Sequence, residues 1–116
     1  MEESIIFYKE VLSLRMLNLV DMGDHIIQYF DLGGGARLEL IEYKFDCKDS
    51  KLTSTDKGMY RHLAFAVDDI MEIYDRVLQA RFVPDNKPTF VDKLGFINFL
   101  MEDPNGVELE IIQYQK

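Results

Sequence analysis

The sequence predicts an α+β fold made of two related modules. Three observations carry this reading: an amphipathic helix followed by short alternating strands, a second strand–helix–strand series in the other half, and matched segments between the halves. A length of 116 residues suits one domain spanning residues 1–116. Within it, module one is expected at 1–46, a polar linker at 47–57 and module two at 58–116.

The elements follow in chain order. From Ser4 to about Leu14, the apolar residues Ile5, Tyr8, Val11 and Leu12 recur at helical spacing, and Glu2 and Glu3 stand near the positive end of the helix dipole. Three β-like runs come next, at Arg15 to Val20, His25 to Leu32 and Ala36 to Tyr43, with turn signals at Asp21-Met-Gly-Asp24 and Gly33-Gly-Gly35. They predict an antiparallel meander. The stretch from Asp46 to Lys57 is polar and reads as the linker. Module two opens with a strand from His62 to Val67. Asp69-Ile-Met-Glu72 then has the form of a capping box and starts a helix with the buried stripe Ile70, Ile73, Tyr74, Val77 and Leu78. After a loop containing Pro84 and Pro88, strands are expected from Gly95 to Glu102 and from Val107 to Tyr114. They are joined by Asp103-Pro-Asn-Gly106, whose proline and glycine suit a type I turn.

The halves align on one another. Phe7-Tyr-Lys-Glu-Val-Leu12 matches Ile73-Tyr-Asp-Arg-Val-Leu78, and Leu38-Glu-Leu-Ile-Glu-Tyr43 matches Leu109-Glu-Ile-Ile-Gln-Tyr114. Glu39 and Glu110 are therefore equivalents. The counterpart of His62 would fall ahead of Met1, so the first module is expected to lack its leading strand.

Composition narrows the function classes. Hydrophobic residues make up 47% and charged residues 29%, which excludes a disordered chain and allows a core. A net charge of −8 has the wrong sign for a nucleic-acid binder or an anionic membrane surface. No apolar run approaches the roughly 18–20 residues that span a bilayer, and the acidic start is unlike a signal peptide. The expected location is cytoplasmic, with neither nucleic acid nor membrane as partner. The one cysteine, Cys47, is read as incidental.

Strand alternation groups the chemistry-bearing residues. Leu38 and Leu40 take one face while Arg37, Glu39, Ile41 and Tyr43 take the other. Leu109 and Ile111 oppose Glu108, Glu110, Ile112 and Tyr114; Leu63, Phe65 and Val67 oppose His62, Ala64 and Ala66. One imidazole and two carboxylates suit a divalent metal such as zinc, nickel, manganese or iron, with open positions for water or substrate. The other reading leaves His62, Glu39 and Glu110 on the solvated faces of half-exposed sheets. Arg37 shares the face of Glu39 and suits either an anionic substrate group or a salt bridge to Glu39. His25 reads as an ordinary surface or core histidine. Gly33 to Gly35 lacks a following helix and a lysine, so it reads as a hairpin turn rather than a phosphate loop.

At Phe7-Tyr-Lys-Glu-Val-Leu12, Arg37-Leu-Glu-Leu40, His62-Leu-Ala-Phe-Ala-Val-Asp68 and Asp103-Pro-Asn-Gly-Val-Glu-Leu-Glu-Ile111, the sequence resembles the vicinal oxygen chelate superfamily. That superfamily includes glyoxalases (lactoylglutathione lyases), methylmalonyl-CoA epimerases, extradiol dioxygenases, fosfomycin-resistance enzymes and bleomycin-resistance proteins. The resemblance is nearest to the glyoxalase branch. It implies paired βαβββ modules, commonly dimeric, with a metal on the concave sheets and Glu39, His62 and Glu110 at ligand positions. It also implies a small metal-dependent lyase or isomerase acting on an α-hydroxycarbonyl or thiohemiacetal. Glu39 and Glu110 would there be both ligands and proton-transfer bases, and Arg37 a substrate contact. The family's first ligand comes from the leading strand, so the metal is expected to be weakly held or lost. Three accounts stay open: a start codon placed too late, a strand supplied or rearranged through a dimer, or a domain that has given up its metal. The alternative function, in another class, is a bleomycin-resistance-like protein that binds a small molecule without turnover. A homodimer is expected under either reading.

Overall fold

The computed structural model describes residues 1–48, 55–58 and 62–115. The expected linker therefore lies partly outside the described residues. The chain divides into two compact units, Met1–Lys51 and Leu52–Lys116.

Unit 1 starts with helix α1 (Glu2–Ile6), which continues into a π-helical turn at Phe7–Val11. The sequence pattern predicts one regular helix here. In the wider turn Leu12 N–H donates to the carbonyl of Phe7, five residues back, at 3.1 Å. Phe7, one turn before Val11 and one after buried Ser4, joins Tyr8, Val11 and Leu12 in the core. The rings of Phe7 and Tyr8 meet edge to face at 5.1 Å, and Tyr8 lies 6.2 Å from Phe30 of the sheet.

That sheet holds β1 (Arg15–Asp21), β2 (His25–Gly33) and β3 (Ala36–Tyr43), antiparallel and in the order β1-β2-β3. The meander is as the turn signals predict. Phe30 and Leu40 are buried on the helix side, while Arg37, Glu39, Ile41 and Tyr43 are exposed on the other. The β1–β2 ladder shifts register between Met16 and Leu19. Buried Gln28 fills this bulge: its Nε2 donates to the carbonyls of Leu17 and Tyr29 at 3.0 Å each, partnering backbone oxygens beside the irregularity. The three glycines of the β2–β3 turn all have positive φ, between 61° and 87°, the conformation that favours glycine.

Unit 2 comprises β4 (Leu63–Ala66), α2 (Ile70–Gln79), β5 (Thr89–Val91), β6 (Phe96–Glu102) and β7 (Glu108–Tyr114). Its sheet order is β4-β7-β6-β5, with β4 parallel to β7 and the remaining pairs antiparallel. Asp69 caps α2 by accepting from Glu72 N–H at 3.2 Å, as the capping signature predicts. The Glu72 carboxylate takes Arg76, one turn on, at 2.5 Å. Ile70, Ile73 and Val77 are buried; Leu78, at the flank of the stripe, stays exposed. The helix packs over Phe99, Leu109 and Ile111, each fully buried, with Tyr74 edge-on to Phe99 at 5.4 Å. Strand β5 is not expected from the sequence because it follows the loop of Pro84 and Pro88, yet its Thr-Phe-Val composition suits an edge strand. The β6–β7 turn closes with Gly106 N–H donating to the Asp103 carbonyl at 3.0 Å, and Asp103 Oδ1 accepts from Asn105 and Val107.

The repeat extends to strand pairing. Glu39 faces Tyr29 across β2–β3, and Glu110 faces Leu100 across β6–β7, the same offset on both strands. His25 faces Tyr43 as Phe96 faces Tyr114. Removing β4 from unit 2 leaves the strand order of unit 1, and the outer edge of β3 has no partner strand among the described residues.

Two substitutions test this account by chemical denaturation. Asp69→Ala frees the α2 cap and is expected to cost about 1 kcal/mol. Phe99→Ala opens a cavity under α2 and is expected to cost about 3–5 kcal/mol.

Candidate functional site

Strand β7 is central in its sheet, so Glu110 has a neighbouring strand on each side. Its register partner on β4 is Ala64, whose small side chain leaves space on that face. His62, immediately before β4, uses the space: Nε2 lies 3.1 Å from Glu110 Oε1. The sequence pattern puts His62 inside the strand; the structure starts β4 at Leu63, and His62 is freer to turn toward the carboxylate. From the other side Asn98 of β6 donates Nδ2 to Glu110 Oε2 at 2.8 Å. Each carboxylate oxygen thus has a partner, and the residue is only 9% exposed. Burial of a carboxylate is costly unless such bonds are made, so the strand pairing and the site depend on each other.

Asn98 is the residue that sequence reasoning missed. The available signal was one amide within the apolar run Phe96-Ile-Asn-Phe-Leu100, on the face that alternation assigns to Glu110.

In unit 1, Glu39 is exposed and is the register partner of Tyr29 across the ladder. Desolvation, followed by the neighbouring carboxylate of Glu39, raises the Tyr29 phenol above the ordinary tyrosine value. Arg37 makes no ion pair with Glu39 among the described residues. Its guanidinium lies over the Tyr29 ring, 5.4 Å from the centroid. His25 sits at the surface end of the sheet, 2.6 Å from Asp24 Oδ1, and Cys47 is exposed.

The structure therefore brings His62 and Glu110 together. Among the described residues, no three His, Cys, Asp or Glu side chains form a group able to hold a metal ion. The pair itself fits two adjacent ligand positions: donors about 2.1 Å from an ion and separated by 90–110° lie about 3.0–3.4 Å apart.

The glyoxalase/bleomycin resistance protein/dioxygenase superfamily model matches residues 1–111, and the chain belongs to that superfamily. Solved structures share the fold at low identity. A domain of this superfamily from Frankia sp. EAN1pec is 18% identical with a TM-score of 0.79, over 100% of this chain and 84% of that one. The trypanothione-dependent glyoxalase I of Leishmania major is 23% identical with a TM-score of 0.74, over 97% and 78%. TnmS3, an antibiotic-binding protein from Streptomyces sp. CB03234, is 16% identical with a TM-score of 0.68, over 98% and 86%. No curated protein matches. Among the described residues, no helix is long and apolar enough to cross a membrane.

Charge pairing also sets an acid response. Arg15 donates to Asp31 at 2.8 Å, and that bond, helped by Gly33 N–H, holds the Asp31 carboxyl below its ordinary value. A depressed carboxyl adds stability above its unfolded value of about 4, and the contribution disappears as pH falls through the folded value. Arg15→Gln is therefore expected to show a smaller loss of melting temperature than the wild type between pH 4 and pH 2. At the site, Asn98→Leu leaves Glu110 Oε2 without its donor and is expected to cost about 1–3 kcal/mol in a denaturant titration.

Proposed function

We infer that the protein is a small-molecule enzyme with metal-dependent lyase or isomerase activity toward vicinal-oxygen substrates such as α-hydroxycarbonyls or thiohemiacetals. The observation that supports this most is the His62–Glu110 pair, with donor atoms 3.1 Å apart at the centre of the sheet. His62 and Glu110 would hold a divalent zinc, nickel, manganese or iron ion, and the proposal gives the same ligand role to Glu39, the register equivalent of Glu110. Once bound, the ion would supply Lewis acidity toward adjacent substrate oxygens. Glu110 is aimed by Asn98 and would meet substrate in one orientation, and Glu110 and Glu39 would take or return a proton. Arg37 would contact substrate beside Glu39. We place this activity in a cytoplasmic homodimer.

One observation favours a second reading, binding without turnover. Both oxygens of Glu110 are already hydrogen-bonded, and no third ligating side chain joins the pair among the described residues. This would suit a bleomycin-resistance-like protein, whose ligand, given the net charge of −8, would be cationic.

Metal analysis of the purified protein and turnover of methylglyoxal with a thiol separate the readings. The enzyme reading expects stoichiometric metal, turnover, and at least a tenfold loss of metal affinity in His62→Ala. The sequestration reading expects neither metal nor turnover, with a rise in melting temperature on adding a cationic glycopeptide. If His62→Ala leaves metal content unchanged, the ligand assignment fails. Light scattering at micromolar concentration is expected to give the mass of a dimer.

A further inference from the structure

A row of charges crosses the three-stranded sheet of unit 1 at its hairpin end. Asp31 is the register partner of Arg15 on one side and of Arg37 on the other, giving the order cation, anion, cation. Asp31 is fully engaged, with Oδ2 on Arg15 at 2.8 Å and Oδ1 on Gly33 N–H at 2.8 Å. Arg37 has no ion pair among the described residues and rests on the Tyr29 ring. The row therefore has one positive charge in excess, in a chain whose net charge is −8. Beside it lies an open cavity of about 340 Å³, lined by both arginines, Asp31, Leu17 and the Gly33–Gly35 turn. A small anion there would meet two guanidiniums, whose planar forks suit phosphate and carboxylate.

We propose that the Arg15–Arg37 cavity is a binding site for a phosphate or carboxylate group. Arg37 stands two residues before Glu39 on the same strand face, a separation of about 7 Å along the strand. This rests on the functional reading above in one respect: if Glu39 serves the reaction, the anion is part of the substrate. The substrate class is then a small vicinal-oxygen compound carrying phosphate or carboxylate a few bonds from the reacting carbons.

The test is calorimetric titration of the whole protein with inorganic phosphate and, separately, with acetate. Comparison of the two tells a phosphate site from a carboxylate site. Saturable binding of at least one is expected, weakened at least tenfold in Arg37→Ala and partly kept in Arg37→Lys. Asp31→Asn keeps the acceptor for Gly33 but removes the competing charge, and is expected to tighten binding severalfold. No saturable binding of either anion by the wild type overturns the proposal. So does binding indifferent to Arg37→Ala and Asp31→Asn in folded variants, with folding checked by circular dichroism. Metal content is scored on the same samples. Anion binding without metal sinks the metal reading alone, and metal without anion binding sinks the anion site alone.

Discussion

A carboxylate withdrawn from water must be held by hydrogen-bond donors, and in unit 2 that constraint links the sheet to the chemistry. Glu110 lies on an inner strand, and its two oxygens are met by His62, just ahead of one neighbouring strand, and by Asn98 from the other. Pairing with β4 brings the imidazole, and pairing with β6 brings the amide. A slip of either strand by one residue would turn its donor to the opposite face and leave the charge unpartnered. The core beneath secures the register. Leu109 and Ile111, on either side of Glu110 in sequence, point the other way into the fully buried layer under α2.

Unit 1 treats its equivalent glutamate differently. Glu39 is on β3, whose outer edge carries no strand among the described residues, and it is exposed. Its register partner is Tyr29, directly across the ladder, and the Tyr29 ring carries the Arg37 guanidinium. The two hairpins share one register but differ in the side chains built on it. Such a divergence leaves one carboxylate shielded and one open to solvent.

The superfamily fold is compatible with catalysis and with plain binding, as the shared architecture of a glyoxalase I and an antibiotic-binding protein illustrates. In this chain the feature on which either proposal turns is the donor set around Glu110, an imidazole and an amide held on one buried carboxylate.

Much was legible in the sequence because the information is local. Alternation along β3 and β7, the Asp69 cap, the glycine turn and the matched segments that pair Glu39 with Glu110 depend on neighbours a few residues apart, and these features appear in the structure where periodicity puts them. The helical stripe at Ile70, Ile73 and Val77 and the α+β class follow from the same short-range rules. What only the tertiary structure decided involves partners distant in sequence. His62 reaches Glu110 across 48 residues, Asn98 across 12, and Gln28 serves a bulge 10 to 11 residues away. The π turn at Phe7–Val11, beside the contact of Tyr8 with Phe30, is likewise invisible to helical periodicity. Composition shows that polar residues exist to hold a buried carboxylate; which of them do so is set by strand register, because a hydrogen bond requires atoms within about 3 Å and sequence spacing alone does not specify that separation.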